Sequence, residues 1–219
     1  MRPRPPRAAF SRFIAAAALS LILVEASWAA PSYKILHYFN GTDGEGPWGG
    51  VTLGQKGGLY GAGASGGTGG GCNGYGCGTV YELVPHANGS WSDSVLYNFG
   101  SGNDGAAPYG KVMLDGPGNV YGTTNRCGAH DDSGTVFALT NGTNGWTESV
   151  LYSFCAQPRC SDGAFPDAGV IMDKSGNLYG TAGVVFKLSP GSDGWEETVL
   201  YTFCTKSTKC TDGAAPSRA

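Results

Sequence analysis

Charged residues are scarce in this sequence: Asp, Glu, Lys and Arg make up 14% of it, where a soluble domain ordinarily carries about a quarter. With 14 basic against 17 acidic side chains, there is no basic face for a phosphate backbone or an anionic lipid surface. Nucleic acid and membrane-surface partners are therefore not expected. Long apolar runs are also missing. The longest, residues 13–24, falls short of the roughly 20 residues a membrane helix needs. No extended stretch with a 3.6-residue period survives between the glycines, which argues against a helical fold. Only three histidines are present and no Cys-x-x-Cys pair occurs, so a zinc finger is disfavoured. There is no Gly-x-Ser-x-Gly elbow for a hydrolase nucleophile. Gly61-x-Gly63-x-x-Gly66 has the spacing of a dinucleotide fingerprint, but the glycine-rich residues 66–78 cannot supply the helix that should follow. No cofactor is expected.

The N-terminal segment carries Arg2, Arg4, Arg7 and Arg12 ahead of that short apolar run, followed by Ser27 and Ala29. This order is that of a secretory signal peptide over residues 1–29, removed to leave a mature chain from Ala30. Its loss leaves ten basic and sixteen acidic side chains, a net charge of −6. The expected location is secreted, periplasmic or extracellular, with no membrane span in the mature chain. Glycine is abundant at 38 residues, yet 11 Tyr, 9 Phe and 5 Trp supply enough aromatic surface to bury a core, and a disordered chain would lack it.

Internal repetition is the main signal. A strand-like element recurs as Leu36-His37-Tyr38-Phe39, Leu96-Tyr97-Asn98-Phe99, Leu151-Tyr152-Ser153-Phe154 and Leu200-Tyr201-Thr202-Phe203. Each copy is followed by Asp-Gly-x-x-Pro, with the aspartates at Asp43, Asp104, Asp162 and Asp212, spaced by 61, 58 and 50 residues. Leu59-Tyr60-Gly61, Val120-Tyr121-Gly122 and Leu178-Tyr179-Gly180 come next, then Thr79-Val80-Tyr81, Thr135-Val136-Phe137 and Val184-Val185-Phe186, and finally Trp91, Trp146 and Trp195. One unit resolves into four short strands: Lys111–Leu114, Val120–Thr124, Thr135–Leu139 and Trp146–Phe154. The turn 115–119 makes a hairpin of the first two. In the third strand Phe137 and Leu139 should be packed and the Ala138 face solvated, because its counterparts are Glu82 and Lys187. Four antiparallel strands repeating every 50 to 60 residues are the pattern of a propeller blade.

The segments 198–204 (Thr-Val-Leu-Tyr-Thr-Phe-Cys), 210–216 (Cys-Thr-Asp-Gly-Ala-Ala-Pro), 173–181 (Asp-Lys-Ser-Gly-Asn-Leu-Tyr-Gly-Thr) and 134–137 (Gly-Thr-Val-Phe) closely resemble the bacterial GloVer (Gloeo/Verruco) tandem repeat. That repeat is found in secreted choice-of-anchor proteins. The resemblance implies secretion and repetition and brings no catalytic residues; a C-terminal anchoring segment of the family kind is not evident. The expected fold is all-β, a β-propeller-like array of four-stranded antiparallel blades: a strand at 33–39, units at about 47–99, 108–154 and 166–203, and a partial unit at 204–219. Three blades and one strand do not close a ring. The expectation is therefore an incomplete propeller, with self-association possible through open blade edges.

In such a meander the loops after the second and fourth strands share one end, and all seven cysteines fall there. Cys72 with Cys77, Cys155 with Cys160, and Cys204 with Cys210 suit loop-pinning disulfides, with zinc as the alternative; Cys127 is left as a free thiol. Asp43, Asp104, Asp162 and Asp212 recur in every unit, which favours a structural turn, with calcium as the alternative. His130, Asp131 and Asp132 bring imidazole and carboxylates together, although exposed loop charge explains them as well. Trp48 and Tyr109, each just after a repeat proline, could stack on a sugar or peptide or pack between blades. The functional expectation is a noncatalytic extracellular binding or scaffold module, with a polysaccharide or cell-surface component as its partner. The alternative is a secreted carbohydrate-active enzyme on the same scaffold.

Overall fold

The computed structural model describes residues 33–100, 102–204 and 213, so the signal-peptide segment, Cys210 and Asp212 lie outside the described residues. Among the described residues, twelve strands form three separate four-stranded antiparallel sheets, each in chain order. The first holds β1 (Thr52–Leu53), β2 (Leu59–Gly63), β3 (Thr79–Pro85) and β4 (Trp91–Asn98). The second holds β5 (Met113–Leu114), β6 (Val120–Thr124), β7 (Thr135–Gly142) and β8 (Gly145–Ser153). The third holds β9 (Ile171–Met172), β10 (Leu178–Thr181), β11 (Val184–Gly191) and β12 (Gly194–Thr202).

Local chemistry accounts for the hairpins. At the turn between β5 and β6 the Asp115 carboxylate accepts the backbone N–H groups of Gly118 and Asn119 at 2.8 and 2.7 Å and the Asn119 side-chain amide at 2.8 Å. Asp173 does the same between β9 and β10, accepting from Ser175 and Asn177 and from the Tyr179 hydroxyl. The Asn177 side-chain amide leads the bonds that bring the Asp173 carboxyl down to about 2. Aspartate is favoured at such turns because its short carboxylate reaches the orphan amides of its own turn.

The sheets are joined by aromatic rings. In each unit a glycine of the second strand lies opposite an aromatic residue of the third: Gly61 against Tyr81, Gly122 against Phe137, Gly180 against Phe186. A Cβ on Gly122 would stand 2.6 Å from the Phe137 ring, and one on Gly180 2.5 Å from the Phe186 ring. The ring therefore lies over the bare glycine backbone. Its outer side receives a phenylalanine from the preceding unit, with centroid distances of 5.0 Å for Phe39–Tyr81, 5.1 Å for Phe99–Phe137 and 5.1 Å for Phe154–Phe186, all edge-to-face. A register shift just before the aromatic residue, at Val80/Tyr81, Val136/Phe137 and Val185/Phe186, recurs in all three sheets. Such a bulge increases local twist and re-aims side chains.

Two cores result. One joins the first and second sheets through Val80, Leu96, Phe99, Val120, Phe137 and Leu139. The other joins the second and third through Val136, Phe154, Leu178, Val184, Phe186 and Leu188. The middle sheet is thus covered on both faces, which corrects the expectation for Ala138. Ala138 is buried at 5% exposure, while Glu82 and Lys187 in the outer sheets are half-buried. Residues 33–39 carry no assigned strand, because the described residues offer them no ladder partner; they hold their place through Phe39. The first strand of the second unit is shorter than expected, beginning at Met113 rather than Lys111.

Because the glycine and the ring occupy one another's space, their substitutions should be coupled. Phe137→Ala is expected to cost about 3–5 kcal/mol, read from the urea midpoint. Gly122→Val should be strongly destabilising alone, and part of its effect should be recovered when Phe137→Leu is added. Additive effects in that double-mutant cycle would contradict the contact.

Candidate ligand-binding groove

The candidate site starts from the repeat proline. The residue before it is left-handed in each unit, Gly46 (φ 64°), Ala107 (φ 56°) and Phe165 (φ 54°), a conformation that costs energy for a residue with a side chain. The turn delivers the residue after the proline, Trp48, Tyr109 and Asp167, to the start of each first strand. There the three backbones come into contact. A Cβ on Gly49 would meet the Gly110 carbonyl at 2.5 Å, and one on Gly110 would meet the Ala168–Gly169 backbone. Side chains at these positions would force the sheets apart, so glycine is required by the close approach of backbone to backbone. The Thr52 hydroxyl donates to the Val112 carbonyl and the Thr123 hydroxyl to the Ala168 carbonyl, the latter at 2.8 Å, tying adjacent sheets at this level.

The consequence is a mainly apolar cavity of ≈ 360 Å³ that crosses all three sheets. Trp48 and Tyr109 form its wall, with ring centroids 5.2 Å apart and planes inclined by 29°; Trp48 is 58% exposed. Lys111 and Asp167 also line it, and Asp167 accepts the Asn125 side-chain amide at 3.1 Å. Among the described residues, Asp167 is the only acid that lines it. A second, more polar cavity of ≈ 510 Å³ lies by the turns, lined among others by Lys56, Tyr60, Glu82, Asp115 and Trp146. There burial, and then Glu82, push the Tyr60 phenol up to about 12.

The three repeated aspartates among the described residues line neither cavity. Asp43, Asp104 and Asp162 are buried and clip the end of one sheet to the following loop. Asp104 accepts the Tyr97 hydroxyl at 3.0 Å and the Gly100 N–H at 3.1 Å. Asp162 accepts the Tyr152 hydroxyl at 2.7 Å and the Ala156 and Gln157 N–H groups. Asp43 accepts the Asn40 N–H at 2.8 Å and pairs with His37. Burial works against its charge, but the Asn40 amide and the His37 ring outweigh it and hold the carboxyl below its ordinary value.

Sequence reasoning missed the residues that face these aspartates. Two positions after each repeat tryptophan stands an acid, Asp93, Glu148 or Glu197, and that spacing was the available signal. Burial, then the Asp104 charge, push Glu148 up to about 7; burial, then Asp162, do the same to Glu197. The Oε1 atom of each is buried without a hydrogen-bond partner, which disfavours the charged form.

His130, Asp131 and Asp132 are exposed on a loop and line neither cavity. Asp132 accepts the Cys127 N–H at 2.6 Å and pairs with Arg126 at 3.4 Å, so its role there is to hold the loop. Disulfides join Cys72 to Cys77 and Cys155 to Cys160, as an oxidising environment permits. Cys204 is also disulfide-bonded, and its expected partner Cys210 lies outside the described residues. Cys127 is a free, half-buried thiol. Burial, and then Asp132, push it upward, which disfavours the nucleophilic thiolate. Among the described residues no helix is long and apolar enough to cross a membrane.

The raised Glu148 and Glu197 set a pH dependence. Both bind a proton more tightly folded than unfolded, so their stabilisation is complete below the ordinary glutamate range and is lost as pH rises through about 7. The melting temperature should therefore fall between pH 5 and pH 8. Glu148→Gln with Glu197→Gln should flatten that fall and raise the pH 8 value by about 2 °C or more, measured by circular dichroism.

A comparison with curated proteins returned no match. The sequence profile of the Gloeobacter/Verrucomicrobia repeat, by contrast, matches residues 23–219, and the chain belongs to that repeat family.

Proposed function

We propose that this protein is a secreted, noncatalytic binding module whose three sheets are blades of a propeller-like array, and that the groove over the first strands takes a polysaccharide chain. The observation that carries the reading is the stacked pair Trp48–Tyr109, in which Trp48 is exposed and Tyr109 half-buried, in a groove with Lys111 and Asp167 at hand. An aromatic face offers a sugar ring its apolar side, and the flanking charged groups serve its hydroxyls. The blade reading draws support from the order of strands in each sheet and from the backbone contacts among the three inner segments. Secretion draws support from the disulfides.

The enzyme alternative requires two carboxyl groups about 5–9 Å apart at one place. The paired acids of this chain, Asp104 with Glu148 and Asp162 with Glu197, recur in successive units and are tied up in sheet junctions.

The test is co-sedimentation of the mature protein with insoluble polysaccharides, followed by calorimetric titration of soluble oligosaccharides from whichever is retained. Trp48→Ala and Tyr109→Ala should each weaken binding about tenfold or more, a loss of about 1.4 kcal/mol, with unchanged melting temperature. Retention unaffected by either substitution would remove the groove from consideration. Release of reducing ends that Asp167→Asn abolishes would favour the enzyme.

A further inference from the structure

The junction of the segment around His37 with the first sheet and the two junctions between sheets share one plan, and the first of the three differs. At the second and third, a tyrosine hydroxyl donates to the loop aspartate and a glutamate closes the site: Tyr97, Asp104 and Glu148, then Tyr152, Asp162 and Glu197. At the first, His37 stands in place of the tyrosine and Asp93 in place of the glutamate. A phenol is a poor metal ligand at neutral pH, whereas imidazole is a good one for first-row divalent ions.

The geometry at this junction is that of a metal ligand with its outer carboxylate. His37 Nε2 lies 2.8 Å from Asp43 Oδ2. Asp43 is fixed on its other oxygen by the Asn40 amide, and the His37 ring is held edge-to-face against Phe39 at 4.8 Å. If Nε2 carries the proton, Nδ1 presents its lone pair on the opposite side. There, 3.8 Å away, it faces Asp93 Oδ1. That separation is too long for a hydrogen bond, and a lone pair opposed to a carboxylate calls for a cation between them. Two bonds of about 2.1 Å span such a gap at an angle of about 130°. One donor atom from each of His37, Asp43 and Asp93 lies within 4.8 Å of the others, so Asp43 can orient the ring or enter the coordination sphere itself. His37 and Asp43 are mostly buried, with side-chain exposures of 16% and 7%, while Asp93 at 43% leaves a path from solvent.

We propose that His37, Asp93 and Asp43 form a binding site for a divalent transition-metal ion of the zinc class, with His37 Nδ1 and Asp93 as direct ligands and Asp43 as the carboxylate behind the histidine. The site is independent of the sugar-binding reading. Its role is to join the segment around His37 to the first sheet.

The experiment is calorimetric titration of chelator-treated mature protein with zinc chloride, repeated with cobalt(II) to follow its d–d absorption. Wild type should bind one zinc ion saturably at this site. Binding should weaken at least tenfold in His37→Tyr, which installs the residue of the other junctions, and in Asp93→Asn, which alters a partly exposed side chain. It should persist in Cys127→Ser, which removes the free thiol as a competing ligand. Should His37→Tyr fail to fold, Asp93→Asn carries the test alone. Absence of saturable zinc binding in wild type, or binding of equal strength in a folded His37→Tyr or Asp93→Asn protein, overturns the site.

Discussion

Everything in this structure depends on a phenylalanine from one unit resting edge-on against an aromatic ring of the next. Phe99 on Phe137 and Phe154 on Phe186 are fully buried. Burial of one such side chain contributes about 2–3 kcal/mol, and the ring pair about 0.5–1.5 kcal/mol more. The arrangement constrains the backbone twice. The residue beneath the ring must be glycine, and the ladder must shift register just before it. A single four-stranded sheet has no other means of covering these rings, so each unit is completed by its neighbour. This is the general condition of a repeat architecture.

The same dependence explains the acids between the sheets. Strand ends and loops meet where the rings do, and the loop amides there need an acceptor. Asp104 and Asp162 supply it, and a glutamate from the adjacent strand is then brought beside a buried carboxylate. Two such acids cannot both ionise cheaply at one half-buried place. A glutamate carboxyl pushed up to about 7 is the compromise, with Oε1 left without a partner.

Much of this architecture was legible in the sequence because the repeats keep the residues that the backbone requires. Val120–Thr124 emerged as a strand with the bounds its pattern implied, and the turn at 115–119 carried its aspartate and glycines openly. What eluded sequence reasoning was set between units. Ala138 has polar counterparts in the neighbouring repeats, yet it is buried, on the strand face where Val136 packs against the third sheet. Glu148 stands two residues after Trp146, and only the packing of one unit on the next brings it beside Asp104. Trp48 and Tyr109 could be singled out by their place after the proline, but nothing in that place foretold that Gly49 and Gly110 would bring them into contact. The cluster His130, Asp131 and Asp132 was conspicuous for its composition, and Asp132 is occupied in closing its own loop.

Repetition itself offers a way to separate structural residues from those available for other work. Where the same residue recurs and is buried against its own loop, as with Asp104 and Asp162, the fold accounts for it fully. Where a position recurs but its chemistry changes, the fold demands only the place. The residue after the proline is Trp48, then Tyr109, then Asp167, all on one groove with different surfaces. The junction residue is His37 where its counterparts are Tyr97 and Tyr152. Each keeps the edge-to-face packing on the following phenylalanine, Phe39, Phe99 or Phe154. Packing therefore does not distinguish imidazole from phenol at this position, and the difference between them falls on the pole that faces Asp93.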